Sequence, residues 1–359
     1  MAMGIIELQD VSVQFDDVLA LDRSNVSIQE GDLCSIIGPN GAGKTTALRV
    51  MAGLLEPTRG IVLFHGQAIS GSESFRLRRV STLVFQKPVV FSTSVFKNVA
   101  YGLRVRGIGE DEIRKRVRQA LELVEMQDLS DRFARALSGG EQRRVCLAMG
   151  MVTNPQLFLL DEPTTYLDTE NREIVERVLR KLNEDQGMTI VISTHNMLQA
   201  ENLSHRAIIL QNGRVEQTGM AHEILRQKLE HLVLEDTTSN LFRGVAEESG
   251  HKTSGRRIVR VSIGENVSFE AISDRSGNVT VHIPPEDIMV SHQPILSSAR
   301  NTMRGIISEI QQEDAVAFLT VNVGVPLRVQ ITNNSLDSLQ ISVGQEVVVT
   351  FKASSVSIY

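Results

Sequence analysis

Three short stretches combine residue types and spacings suited to phosphate chemistry. "GPNGAGKTT", Gly38 to Thr46, fits G-x-x-x-x-G-K-[ST]; it follows the apolar run "LCSII" and opens a helical pattern. Gly38, Gly41 and Gly43, with Asn40 between them, let the backbone curl so that successive N–H groups face phosphate oxygens, and the helix start adds positive potential. Lys44 can neutralise β- and γ-phosphate charge, Thr45 can ligate Mg2+, and Thr46 continues the same turn. "LFLLDE" then places Asp161 at the end of a buried strand, where it can reach the metal, and Glu162 next to it as a general base for an attacking water. "LSGGE" starts a helix with Ser138 and Glu141 spaced as a capping box. Its two glycines, Gly139 and Gly140, permit the close backbone approach of an anion site.

These residues need strands and helices to hold them. "LCSIIG", "STLVF", "LFLLD" and "TIVIST" are continuous apolar runs, as expected of parallel strands covered on both faces; "IIELQDVSVQF" alternates, as expected of a sheet with one wet face. "KTTALRVMAGLL", the reach from Glu110 to Met126, "EQRRVCLAMGMV" and "NREIVERVLRKLNE" read as helices, so the first part is an α/β layered domain. Asn212-Gly213 between two strand-like runs predicts a hairpin, and a helix over Met220 to Leu232 closes the domain. The pattern assigns residues 1–233 to this domain, 234–257 to a linker rich in Glu, Ser, Thr and Gly, and 258–359 to a small all-β barrel domain of short strands punctuated by Gly, Asn, Asp and Pro.

The 359 residues carry 37 Lys+Arg against 43 Asp+Glu, a mildly acidic balance that disfavours nucleic acid as a partner. No apolar run reaches the roughly 20 residues that span a bilayer, so a membrane role is expected to come through a partner. The two cysteines, Cys34 and Cys146, lie in apolar patterns that suit small buried side chains in a reducing, cytoplasmic compartment.

Phosphate loop, Gln86, "LSGGE", "LFLLDE", "TTYLD" and "STH", in this order, resemble the ATP-binding subunits of ABC transporters over residues 4–232. The resemblance implies a P-loop NTPase fold: a mixed, mainly parallel sheet with an antiparallel β subdomain and a helical subdomain that docks a permease. It also implies a homodimer that sandwiches two ATP molecules, each between the phosphate loop of one copy and Ser138, Gly139, Gly140 and Glu141 of the other. Under it Gln86 contacts Mg2+ and the attacking water, His195 steadies the γ-phosphate, and Asp168 joins the two sites. Phe15 stands near the place of the family's adenine-stacking tyrosine, and Tyr166 where many members carry a small residue. Such a chain works at the cytoplasmic face of a membrane with two permease subunits and a periplasmic or extracellular solute-binding protein. A soluble ABC ATPase acting on ribosomes or DNA is the competing class, but its tandem domains, coiled coil or basic extensions are not visible.

"SSARNTMRGIISEI" and "GVPLRVQITNNSLDSLQISVGQEVVVTFKASSVSIY", within 297–359, resemble the small molybdate-binding domain of molbindins and of molybdate and tungstate importer ATPases. A tetrahedral dianion needs cations and oriented donors; Ser298, Arg300, Lys352 and Ser354 supply them. The expectation is an importer ATPase for molybdate or tungstate whose second domain senses the oxyanion and feeds back on import. The alternative is an importer of sulfate, sugar, polyamine or iron with a related β tail.

Overall fold

Three of the continuous apolar runs form the interior of a six-stranded sheet, as burial on both faces requires, and "STLVF" forms one of its edges. The computed structural model describes residues 4–165, 167–225, 240–253, 256–264, 267–313 and 316–358. Strands Ser81–Val84, Leu157–Asp161, Thr189–Thr194, Leu33–Ile37 and Arg206–Gln211 lie side by side in parallel, and Arg214–Met220 adds an antiparallel edge. Leu33–Ile37, Leu157–Asp161 and Thr189–Thr194 are buried at every position. The alternating N-terminal run pairs in a separate antiparallel sheet of Ile6–Phe15, Val18–Ile28, Arg59–Phe64 and Gln67–Ile69.

Helices cover these layers. Lys44–Met51 follows the phosphate loop, and its Ala47, Leu48, Val50 and Met51 enter a core shared by both sheets. Val95–Val105, Glu110–Leu123, Gly139–Met151 and Thr169–Gln186 gather around a second core with Phe158, Ile190 and Ile192 of the central sheet. The hairpin forms where Asn212-Gly213 predicts it, with φ of 47° and 76° at those residues. Burial pushes the Cys34 thiol up to about 12 and raises that of Cys146 as well, as expected of structural thiols.

Met1–Arg226 and Gln227–Tyr359 form two compact units. The division falls ahead of the boundary at 233 suggested by the sequence. Met220 ends a strand; helix follows over 221–225, and the remainder of the helix expected to Leu232 lies outside the described residues. The expected linker over 234–257 is corrected in part: Leu241–Thr253 is a strand, paired on one side with Arg256–Ile263 and on the other with Gly277–His282. Of its positions with described burial only Ala246 is buried, so it carries almost no apolar periodicity and is held by backbone pairing.

The second unit is all β: two five-stranded antiparallel sheets around one core containing Val261, Phe269, Val281, Leu319, Val329, Val349 and Phe351. The stretch 297–358 does not stand alone, because Ser357–Ile358 leaves its own sheet and pairs with Gly277–His282 of the other.

Candidate functional site

Gly38 ends the strand Leu33–Ile37 under the carbonyl of Leu210; a Cβ there would lie 2.1 Å from that oxygen. Gly41 and Gly43 take φ of 81° and 100°, and a Cβ on Gly43 would lie 2.4 Å from the Ala20 carbonyl oxygen. The curl expected of the loop is therefore enforced by its neighbours as well as permitted by its glycines. Gly43 precedes the helix without a side-chain cap, leaving N–H groups at its start for an anion. Asn40 and Gly41 are exposed, and Thr46 is half-buried in the first helical turn.

The Lys44 ammonium donates to the carbonyl oxygens of Gly38 at 2.7 Å and Pro39 at 3.0 Å, and lies 3.6 Å from Glu162 Oε1. It is only 5% exposed, so a buried cation is held by carbonyl dipoles and a carboxylate at the place where phosphate would sit. Thr45 Oγ1 donates to Asp161 Oδ2 at 2.8 Å, and Ser193 Oγ donates to Asp161 Oδ1 at 2.6 Å. A hydroxyl and a carboxylate held together at the mouth of a phosphate loop fit the hard oxygen ligands that Mg2+ requires.

Glu162 takes φ of 45°, a left-handed conformation that costs a non-glycine residue about 1–3 kcal/mol. Its N–H donates to the Ser193 hydroxyl at 3.0 Å, which fixes the turn. Gln86 Nε2 donates to Glu162 Oε2 at 2.9 Å, Thr165 Oγ1 donates to the same oxygen at 3.1 Å, and His195 Nδ1 lies 3.4 Å from Oε1. The hydrogen bond with His195 is the main reason that the Glu162 carboxyl falls to about 2; the charges of His195 and Lys44 also lower it, against its burial. The carboxylate is thus ionised, buried and surrounded by Gln86, His195, Lys44 and, through its neighbour Asp161, Thr45.

Ser138 caps Gly139–Met151 with the full capping box; Glu141 Oε2 accepts from Ser138 N at 2.7 Å, and this bond is the first cause of a lowered Glu141 carboxyl. Gly139 meets open space, whereas a Cβ on Gly140 would lie 2.7 Å from the Asn171 amide nitrogen. Asp168 caps Thr169–Gln186 by accepting from Asn171 N at 2.8 Å. No direct bond joins Ser138 or Asp168 to the Lys44 and Glu162 cluster among the described residues. Phe15 ends its strand with the ring 44% exposed, and Tyr166 lies outside the described residues.

Sequence reasoning missed Ser193, Thr165 and Asn171. A lone serine in the apolar run "TIVIST" was the available sign, because a buried hydroxyl needs a partner.

In the second unit Asn301 pairs with Phe351, and the register brings Arg300 and Lys352 to the same end of two neighbouring strands. "SARN" and "KASS", far apart in sequence, therefore lie at the same end of two paired strands. Ser298, Arg300, Lys352 and Ser354 are all exposed. Arg300 Nη1 lies 3.3 Å from Glu270 Oε2, an ion pair that the sequence did not suggest. Beside it a cleft of about 160 Å3 is lined by Arg260, Ser268, Glu270, Arg300 and Asn301 among others.

Residues 21–165 match the family described as ABC transporter, and residues 297–358 match the TOBE domain. The chain is 31% identical over 357 residues to the molybdate/tungstate import ATP-binding protein WtpC of Pyrococcus horikoshii, covering 99% of this chain and 100% of that protein. It is 35% identical over 301 residues to the spermidine/putrescine import ATP-binding protein PotA of Trichodesmium erythraeum, covering 80% of this chain and 77% of that one. Identity to the sulfate/thiosulfate import ATP-binding protein CysA of Photorhabdus laumondii is 34% over 298 residues, covering 82% of this chain and 80% of that one. The dimeric ATP-binding cassette MJ0796, solved in a post-hydrolysis state bound to ADP and Pi, superposes with a TM-score of 0.56 at 31% identity. That match covers 60% of this chain and 98% of that one.

Proposed function

The chain belongs to the ATP-hydrolysing subunits of ABC importers, and we propose that the solute it drives inward is an oxyanion of the molybdate/tungstate class, which its second unit also binds. The observation that carries this reading is the pairing of Asn301 with Phe351, which places Arg300 and Lys352 each one residue beyond the same end of two neighbouring strands. Two cations, each with a serine two residues away in its own segment, Ser298 and Ser354, offer charge and donors to a tetrahedral dianion, as charge-assisted hydrogen bonding requires. The match to WtpC supports it by running through both units.

In the first unit, backbone N–H groups of 38–46 and Lys44 bind the phosphates of ATP, while the Phe15 ring offers its face to adenine. Thr45, Asp161 and Gln86 are the residues that would hold Mg2+, which supplies charge neutralisation of the β- and γ-phosphates when bound. Glu162 accepts a proton from water as the water oxygen bonds to the γ-phosphorus and the bond to the ADP oxygen breaks. Gln86 orients that water and His195 steadies the γ-phosphate. A second copy completes each site with its Ser138, Gly139, Gly140 and Glu141, and Asp168 joins the two sites. The homodimer sits at the cytoplasmic face of the membrane on two permease subunits that receive solute from an external oxyanion-binding protein.

Phe85, Val89 and Phe91, close to Gln86 in the chain, are exposed, and the Phe91 ring meets that of exposed Tyr101 at 4.7 Å, which offers apolar side chains to a permease segment. Among the described residues no helix is long and apolar enough to cross a membrane.

Glu270 lies 3.3 Å from Arg300 Nη1, so its carboxylate competes with a dianion for that guanidinium. Calorimetric titration of the full chain with molybdate, tungstate, sulfate and spermidine tests the reading. Binding of molybdate or tungstate is expected, weakened about tenfold or more in Lys352→Ala and strengthened in Glu270→Gln. Binding of sulfate or spermidine alone would assign the solute of the other relatives, and binding of none would remove the second unit's proposed role.

A further inference from the structure

Two helix starts that the proposed sandwich presents to a partner copy meet, within one chain, at a single side chain. Asn171 lies in the first turn of Thr169–Gln186. Its Nδ2 donates to both carboxylate oxygens of Asp168, at 3.0 Å each, and its backbone N–H donates to Oδ1 at 2.8 Å. On its other side the carboxamide lies against the signature turn. A Cβ built on Gly140 would stand 2.7 Å from Nδ2, 2.8 Å from Cγ and 3.0 Å from Oδ1 of Asn171. Any side chain at Gly140 would therefore push the carboxamide of Asn171 aside.

The amide is a costly choice for this place. Asn171 Oδ1 is buried without a hydrogen-bond partner among the described residues. An aliphatic side chain would fill the space with no orphaned acceptor, so what offsets the cost must come from the amide's donor end. That end is spent wholly on Asp168. The helix cap itself does not need it, because the backbone N–H of Asn171 already supplies the capping bond.

We propose that Asn171 is the positioning residue that locks the signature turn to Asp168, so that the two surfaces offered to the partner copy keep one fixed spacing. A displacement of Gly140 toward or away from its phosphate pushes or releases the carboxamide, and the carboxamide carries Asp168 with it. The same bond acts in reverse: Asp168 seated on the partner fixes the carboxamide and hence the signature turn. The inference rests on the sandwich reading above.

The test places Asn171→Ala and Asn171→Asp in the Glu162→Gln background and measures two quantities on the full chain. One is binding of a fluorescent ATP analogue to the monomer; the other is the ATP concentration giving half-maximal dimer by light scattering. With analogue binding unchanged, Asn171→Ala is expected to raise the half-maximal ATP concentration by about tenfold, the loss expected for charge-assisted bonds. Asn171→Asp keeps the shape but sets a carboxylate against Asp168, so its rise is larger than that of Ala. Asn171→Ser replaces the Ala variant if that chain is insoluble, with the same expectation.

Dimerisation equal to that of the parent would overturn the proposal. Loss of analogue binding together with dimerisation would overturn it too, because Asn171 would then only hold the fold. A Glu162→Gln parent that stays monomeric with ATP removes the sandwich reading itself and the proposal with it, and so separates the two failures.

Discussion

Glu162 gathers the densest set of contacts in the ATP site: Gln86, Thr165, His195 and Lys44 all reach its carboxylate, and Ser193 fixes its backbone. As the proposed base it is open to a direct check. Glu162→Gln keeps the shape and removes the proton acceptor, so steady-state hydrolysis should fall by about 10²- to 10⁴-fold while ATP binding persists. A phosphate-release assay reads this, and turnover at the parent rate would remove Glu162 from that role. Gly38, Lys44, Thr45, Asp161 and Glu162 were legible in the sequence because each lies within a short local motif. Ser193, Thr165 and Asn171 were not, because what they do depends on which strands and turns become neighbours. Ser193 is thirty-two positions from Asp161 in the chain, yet their side chains are bonded at 2.6 Å.

At the scale of elements, the loop after Gln86 is held by one buried amide. Asn98 Oδ1 accepts from Phe91 N at 2.7 Å, and its Nδ2 donates to the carbonyl oxygens of Phe91, Thr93 and Ser94. Asn98 sits in the helix Val95–Val105, so the loop that leads away from Gln86 is tied to the next element. Asn98→Ala takes away the acceptor of the Phe91 N–H, while the carbonyl oxygens of Phe91, Thr93 and Ser94 keep their backbone donors, a loss of about 1–3 kcal/mol. Chymotrypsin should then cut after Phe91, the residue that Asn98 holds, at a rate that the parent protein resists, and equal resistance would count against this anchoring role. The parallel strands were readable from their continuous apolar runs, since they are buried on both faces. Leu241–Thr253 was not: nearly all its side chains with described burial face solvent or a partly covered surface, and its place is set by hydrogen bonds to two neighbours.

Over the whole molecule, an ATP-hydrolysing unit of one family is joined to a β unit that carries a proposed oxyanion site. The family was legible from motif order alone, whereas the proposed solute rests on short matches whose meaning depends on Arg300 and Lys352 lying at the same end of two paired strands. The shared core of the second unit, with Ser357–Ile358 crossing to pair with Gly277–His282, links the end of "KASSV" to strands outside the TOBE match. Under the proposed reading, a ligand bound at Arg300 and Lys352 would act on the strands of both sheets, a means by which the unit would report oxyanion supply. The most direct measurement is the ATPase rate of the chain reconstituted with its permease subunits, as molybdate is titrated on the side that faces the ATPase units. The account predicts a rate that falls as molybdate saturates the second unit and that no longer responds in Lys352→Ala. A rate unchanged at saturating molybdate and tungstate would contradict it.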